Sequence, residues 1–164
     1  MTNFNAVLFD LDGTLLDTLE DLADSTNTVL ARHGLPLHPV AAYKYFVGDG
    51  VESLCRRALP PERCTPDFMA QCVSAVRAEY GQRWHVKTHP YEGVPELLDA
   101  LSARKIKLAV LSNKPDEMTK LTVTHFLPHS HFTAVMGAQP GKPRKPDPTM
   151  ALDVAALLGV PPGE

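Results

Sequence analysis

The sequence predicts an α/β protein, with a parallel sheet as its core and a separate helical unit interrupting it. Three observations carry this. Short apolar runs stop abruptly at polar residues, as strands buried on both faces do. Those runs alternate with segments of helical periodicity, as in βαβ units. One long stretch breaks the alternation with helices alone.

Taken in order, Ala6-Val7-Leu8-Phe9 is the first buried strand, and Asp10 follows it at once. Leu15, Leu19, Leu22, Thr26, Val29 and Leu30 then recur at three- and four-residue steps, and Gly34 and Pro36 stop that helix. From Pro36 to about Arg83 the texture changes. Val51, Leu54, Cys55, Ala58 and Leu59 suit one amphipathic helix, and Phe68, Cys72, Ala75, Val76 and Tyr80 suit another, with prolines 60, 61 and 66 between them. After the turn-rich His89-Pro90-Tyr91-Glu92-Gly93, alternation resumes. A helix holds Val94, Leu97, Leu98 and Leu101, and Pro95 sits where a first turn tolerates it. A strand spans Ile106 to Leu111, and Pro115 opens a helix with Met118, Leu121, Thr122 and His125 on one side. A strand over Phe132 to Met136 and a helix over Pro148 to Leu158, closed by Gly159, complete the pattern.

Composition excludes several classes. The 164 residues are 44% hydrophobic and 21% charged, ordinary for a globular domain and too apolar for a disordered chain. A net charge of -3 provides no basic excess for a nucleic-acid partner. No apolar run approaches the ~18 residues of a membrane span, so no membrane partner is expected. Met1 to Asn5 lack a signal-peptide start, which leads us to expect a cytoplasmic protein. The three cysteines have no CxxC spacing, so neither a disulfide framework nor a structural zinc site is expected. The seven histidines include no HExxH and read as surface or core residues.

In open parallel sheets, ligands bind beyond the carboxyl ends of the strands. The first strand ends in Asp10-Leu11-Asp12-Gly13-Thr14 and the second in Ser112-Asn113-Lys114, while Gly141 to Pro148 follow the third. A carboxylate can attack phosphorus, and a second one two residues on can give and take a proton. A hard cation such as Mg²⁺ relieves the repulsion between them and binds phosphate oxygens. A hydroxyl, an amide and a lysine can share the remaining charge of the phosphoryl group. An EF-hand loop starting at Asp10 is set aside, because its glycine and glutamate positions hold Leu15 and Asp21.

Asp10-Leu11-Asp12-Gly13-Thr14-Leu15 resembles the first signature of the haloacid dehalogenase (HAD) superfamily of phosphatases. Leu111-Ser112-Asn113 is similar to the second and Lys145-Pro146-Asp147-Pro148 to the third, in the family's order. Within the superfamily the chain is most similar to phosphoglycolate phosphatases. The resemblance implies an HAD-like fold, with a Rossmann-like parallel-sheet core over residues 1–16 and 86–164 and an α-helical cap inserted over 17–85. It implies Mg²⁺-dependent hydrolysis of a small phosphate monoester through an aspartyl-phosphate, 2-phosphoglycolate leading. It implies Asp10 as nucleophile and Asp12 as general acid/base, with Mg²⁺ on the Asp10 side chain and the Asp12 backbone carbonyl. It also implies Ser112 and Asn113 on the phosphoryl group, joined by Lys145. Lys142 is a rival for that lysine role, but only Lys145 has the Lys-Pro-x-Pro context. Phe46 to Gly50 fall where relatives place a substrate-facing loop. The family's fourth signature, an acidic strand end completing the metal site, has no counterpart, and the expectation is a chain truncated before it. Sugar-phosphate mutases keep both aspartates and stay open as an alternative. So does an inactive fragment that binds ligand or self-associates. A monomer or a homodimer is expected.

Overall fold

The computed structural model describes residues 4–162. The chain divides into two units, one made of the segments up to Leu16 and from Pro90 onward, the other of Asp17–His89.

The first unit is built on three parallel strands, β1 (Ala6–Phe9), β4 (Lys107–Pro115) and β5 (Ala134–Ala138), in the order β1-β4-β5. Leu8 pairs with Ala109, and Val110 with Val135. The central strand is the most buried of the three because helices cover both its faces. Leu108 and Val110 face one side, among Val94, Leu98 and Leu101 of α4 (Val94–Ala103) and Val123 of α5 (Asp116–Phe126). Ala109 faces the other side, against Val154 and Leu158 of α6 (Thr149–Leu158). This is the two-residue alternation of a pleated strand. Each such buried side chain contributes roughly 1.5–3 kcal/mol.

The observed bounds differ from the expected ones in three instructive places. The first helix, α1 (Leu19–Arg32), starts four residues after Leu15. Leu11, Leu15 and Leu16 instead form a fully buried turn against the sheet, in which the Leu11 carbonyl accepts from the amides of Thr14, Leu15 and Leu16. Apolar spacing alone cannot separate such a turn from a helix. Strand β4 runs past Leu111 to Pro115, so Ser112, Asn113 and Lys114 lie within it and are buried. Strand β5 begins two residues later than expected, because the Thr133 amide bonds to the Leu108 carbonyl and sets the register there.

Gly137 in β5 explains why that strand carries a glycine. A Cβ there would lie 2.5 Å from Thr119 Oγ1 and 2.6 Å from both the Asp116 Cα and the Lys114 carbonyl oxygen. The close approach brings the Gly137 amide 2.8 Å from Asp116 Oδ1, and Thr119 Oγ1 donates to the Lys114 carbonyl at 3.1 Å.

The second unit is helical. α1, α2 (Val51–Ala58) and α3 (Pro66–Arg83) share a core of Val29, Leu30, Leu54, Cys55, Ala58, Met69, Cys72 and Val76. Two 3₁₀ segments, Val40–Tyr45 and Pro61–Arg63, join them. Pro66 opens α3 and Thr65 caps it by accepting from the Phe68 amide. Two-residue strands β2 (Leu16–Asp17) and β3 (His89–Pro90) pair where the chain passes from one unit to the other. The Asp21 carboxylate is buried and accepts from the amides of Lys87 and Thr88 and from Thr88 Oγ1. Glu79, also buried, takes Arg32 at 2.8 Å and Arg83 at 2.7 Å. Among the described residues no helix is long and apolar enough to cross a membrane.

This packing predicts three stability outcomes. Gly137→Ala should lose about 1–3 kcal/mol from overpacking. Gly81→Ala in α3, where an added Cβ meets nothing within 4 Å, should gain up to about 1 kcal/mol from helix propensity. Denaturant melts of both variants compare them directly. Asp21→Ala should cost at least about 2 kcal/mol, since it strands buried donors. The expected signature in hydrogen exchange is loss of protection at the Lys87 and Thr88 amides.

Candidate active site

The candidate residues converge at the carboxyl end of the parallel sheet, within the first unit. At the end of β1 the chain turns sharply. Gly13 has φ +79°, the left-handed region that glycine enters without a Cβ penalty, and its amide donates to the Leu16 carbonyl at 2.8 Å. Asp10 and Asp12 precede that turn, just past the end of β1.

Each of the two carboxylates meets its own lysine. Asp10 Oδ1 accepts from Lys145 Nζ at 2.8 Å and from the Leu11 amide at 2.7 Å. Asp12 Oδ1 accepts from Lys114 Nζ at 2.6 Å. The environments differ. The Lys114 side chain is 5% exposed and that of Asp12 20%, whereas Lys145 and Asp10 are 28% and 45% exposed. A charge-assisted bond is stronger where water is excluded, so the Lys114–Asp12 pair is the more firmly held.

Lys145 is also tied to β4. Its ammonium donates to the Leu111 carbonyl at 2.7 Å. The Asn113 side-chain amide bonds the Lys145 backbone in both directions, Nδ2 donating to its carbonyl at 3.1 Å and Oδ1 accepting from its amide at 3.0 Å. The Lys145–Pro146 peptide is cis. Lys142 points elsewhere, with its ammonium 3.1 Å from Asp153 on α6 at the exposed surface. Ser112 is buried, and its Oγ accepts from the Lys114 amide at 3.2 Å.

The structure thus brings Asp10 and Lys145 together and links Asn113 to Lys145. Asp12 it joins to Lys114, a residue that sequence reasoning quoted but gave no role. A signal was available: Ser112 and Lys114 are two apart after a buried strand, and continued strand geometry puts both on one face. Around them Asp116 braces the loop. Burial pushes its carboxyl up, but the Gly137 amide and the Lys120 ammonium outweigh this and hold it below the usual carboxylate range. In the helical unit the Phe46–Gly50 loop is fastened to α2, because Arg57 pairs with Asp49 and donates to the Phe46 carbonyl.

For a metal, the donors at this end are hard oxygens, the Asp10 carboxylate and the Asp12 backbone carbonyl. Mg²⁺ is typically bound by one or two carboxylates with waters and substrate phosphates, so this set fits in kind. Among the described residues no three His, Cys, Asp or Glu side chains group together.

Parallel strands ending in carboxylates paired with lysines make the candidate site of an α/β protein. The chain belongs to the haloacid dehalogenase-like hydrolase family, whose profile matches residues 7–164. It is 31% identical over 162 residues to a phosphoglycolate phosphatase of Thiobacillus denitrificans, covering 97% of this chain and 71% of that protein. It is 34% identical over 156 residues to a phosphoglycolate phosphatase of Aquifex aeolicus, covering 95% of this chain and 71% of that protein. The crystal structure of a predicted phosphoglycolate phosphatase from Haemophilus somnus superposes with a TM-score of 0.87 at 31% identity, over 98% of this chain and 74% of the other.

The reciprocal Asn113–Lys145 clamp has a direct readout. Asn113→Ala should speed hydrogen exchange at the Lys145 amide by about tenfold or more, the equivalent of one lost hydrogen bond of roughly 1.4 kcal/mol. Exchange in the core of β4 should be unchanged.

Proposed function

We propose that the protein hydrolyses a small phosphate monoester through an aspartyl-phosphate on Asp10, with 2-phosphoglycolate the leading substrate. The observation that carries this is the Lys145–Asp10 contact of 2.8 Å at the end of the parallel sheet, beside a second carboxylate two residues on. Family membership and the names of the relatives support the substrate class.

In this reading Asp10 attacks phosphorus and the ester bond breaks. The bond's electron pair goes to the leaving oxygen, which takes a proton from Asp12. Water then attacks the phosphorus and gives its proton to Asp12, and the Asp10 carboxylate is released with phosphate. Lys145 neutralises charge between the attacking carboxylate and the phosphoryl oxygens. Ser112 and Asn113 hold the phosphoryl group, and Asn113 also fixes the segment that presents Lys145. Mg²⁺ would be held by the Asp10 side chain and the Asp12 backbone carbonyl, and would supply positive charge to the phosphate oxygens. The helical unit Asp17–His89 is read as the cap, and a cytoplasmic setting is part of the same proposal.

The test is a panel of phosphate esters, 2-phosphoglycolate among them, with and without Mg²⁺, on protein expressed from the full reading frame. Release of free phosphate supports the reading. Transfer of phosphate between sugar hydroxyls instead would identify a mutase. Asp10→Asn should retain less than about a tenth of wild-type kcat, a loss above ~1.4 kcal/mol, with an unchanged far-UV spectrum. Lys145→Ala should lose about a hundredfold or more, while Lys142→Ala stays within about threefold, since it breaks only an exposed surface pair. A larger loss from Lys142→Ala would reverse the assignment.

A further inference from the structure

We propose that Lys114 is a positioning residue for Asp12, fixing which carboxylate oxygen exchanges the proton with the leaving group. The inference rests on the phosphatase reading above and adds a residue to it.

Three observations point to this. Lys114 Nζ lies 2.6 Å from Asp12 Oδ1, so that oxygen is occupied by an ammonium donor. The lysine side chain is 5% exposed, which is rare for lysine unless its charge is matched. Its backbone is braced on both sides. The Lys114 amide bonds Ser112 Oγ, and its carbonyl accepts from Thr119 Oγ1 beside the close Gly137 contact. A lysine held at its backbone, and paired at its tip with little water, has few alternative rotamers. With Oδ1 engaged by Lys114, Oδ2 is the oxygen that carries the proton.

The chemical consequence depends on the leaving group. When an alkyl ester such as 2-phosphoglycolate is cleaved, the departing alkoxide needs the proton as the P–O bond breaks. When p-nitrophenyl phosphate is cleaved, the departing phenolate is stable without it. A residue that aims Asp12 therefore matters for the first and little for the second. A residue that only stabilises the fold affects both alike.

The experiment measures kcat and KM for both esters in wild type, Lys114→Met, Asp12→Ala and the double variant, each checked by thermal melting. Methionine keeps the length and apolar stem and removes the ammonium donor. The expected result is a loss of at least about tenfold in kcat for 2-phosphoglycolate with less than about threefold for p-nitrophenyl phosphate, at nearly constant KM. In the Asp12→Ala background Lys114→Met should add less than about twofold, because the group it aims is gone. Lys114→Gln, which keeps a donor, carries the same comparison if the methionine variant fails to fold, and should lie between wild type and that expected profile. Equal losses on the two esters, or a full additional loss in the Asp12→Ala background, would overturn the positioning role while leaving the phosphatase reading intact. A wild-type protein that releases phosphate from neither ester would overturn both.

Discussion

Two carboxylates placed two residues apart at the end of one strand repel each other, and the construction of the site follows from where their counter-charges come from. Asp10 and Asp12 follow β1 directly, ahead of the turn at Gly13. Their lysines come from two different later segments, Lys114 from the end of β4 and Lys145 from the loop before α6. Neither lysine could be positioned without the parallel pairing of β1 with β4. The apolar burial of Leu108, Ala109, Val110 and Leu111 is therefore what ultimately sets a charged site in register.

The two pairs sit in different environments. The Asp10 pair is partly open to solvent, and the Asp12 pair is largely shielded from it. Asn113 connects the two halves, since it belongs to β4 beside Lys114 while its side chain grips the backbone of Lys145. Displacing either strand end would disturb both pairs.

Much of this was legible in the sequence. Ala6 to Phe9 and Ile106 to Leu111 are read as strands because burial on both faces leaves a continuous apolar run, and the polar residues after them mark the ligand end. The proline context favours Lys145 over Lys142, and in the structure Lys145 meets Asp10 while Lys142 meets Asp153. What was not legible depended on contacts distant in sequence. Leu15 has helical spacing to Leu19 and Leu22, yet the Leu11 carbonyl gathers three amides and holds it in a turn. Strand β4 outlasts its apolar run, because Ser112, Asn113 and Lys114 have partners that polarity patterns do not record. Gly137 reads as a weak strand residue until the backbone packed on it is known.

The 102-residue separation between Asp12 and Lys114 has a consequence for how the protein is made. On the ribosome, β1 emerges with both carboxylates long before either lysine is synthesised. The helical unit Asp17–His89 comes next, and its Asp21 and Glu79 networks close entirely within it, so it can settle as an autonomous body while β1 waits. The acidic pair is answered only when β4 docks alongside β1, a late and topologically distant event. Acquisition of the charge pairs is thus a marker of completed sheet assembly, and a nascent chain halted before β4 would carry a finished helical insert on an unfinished, strongly anionic strand.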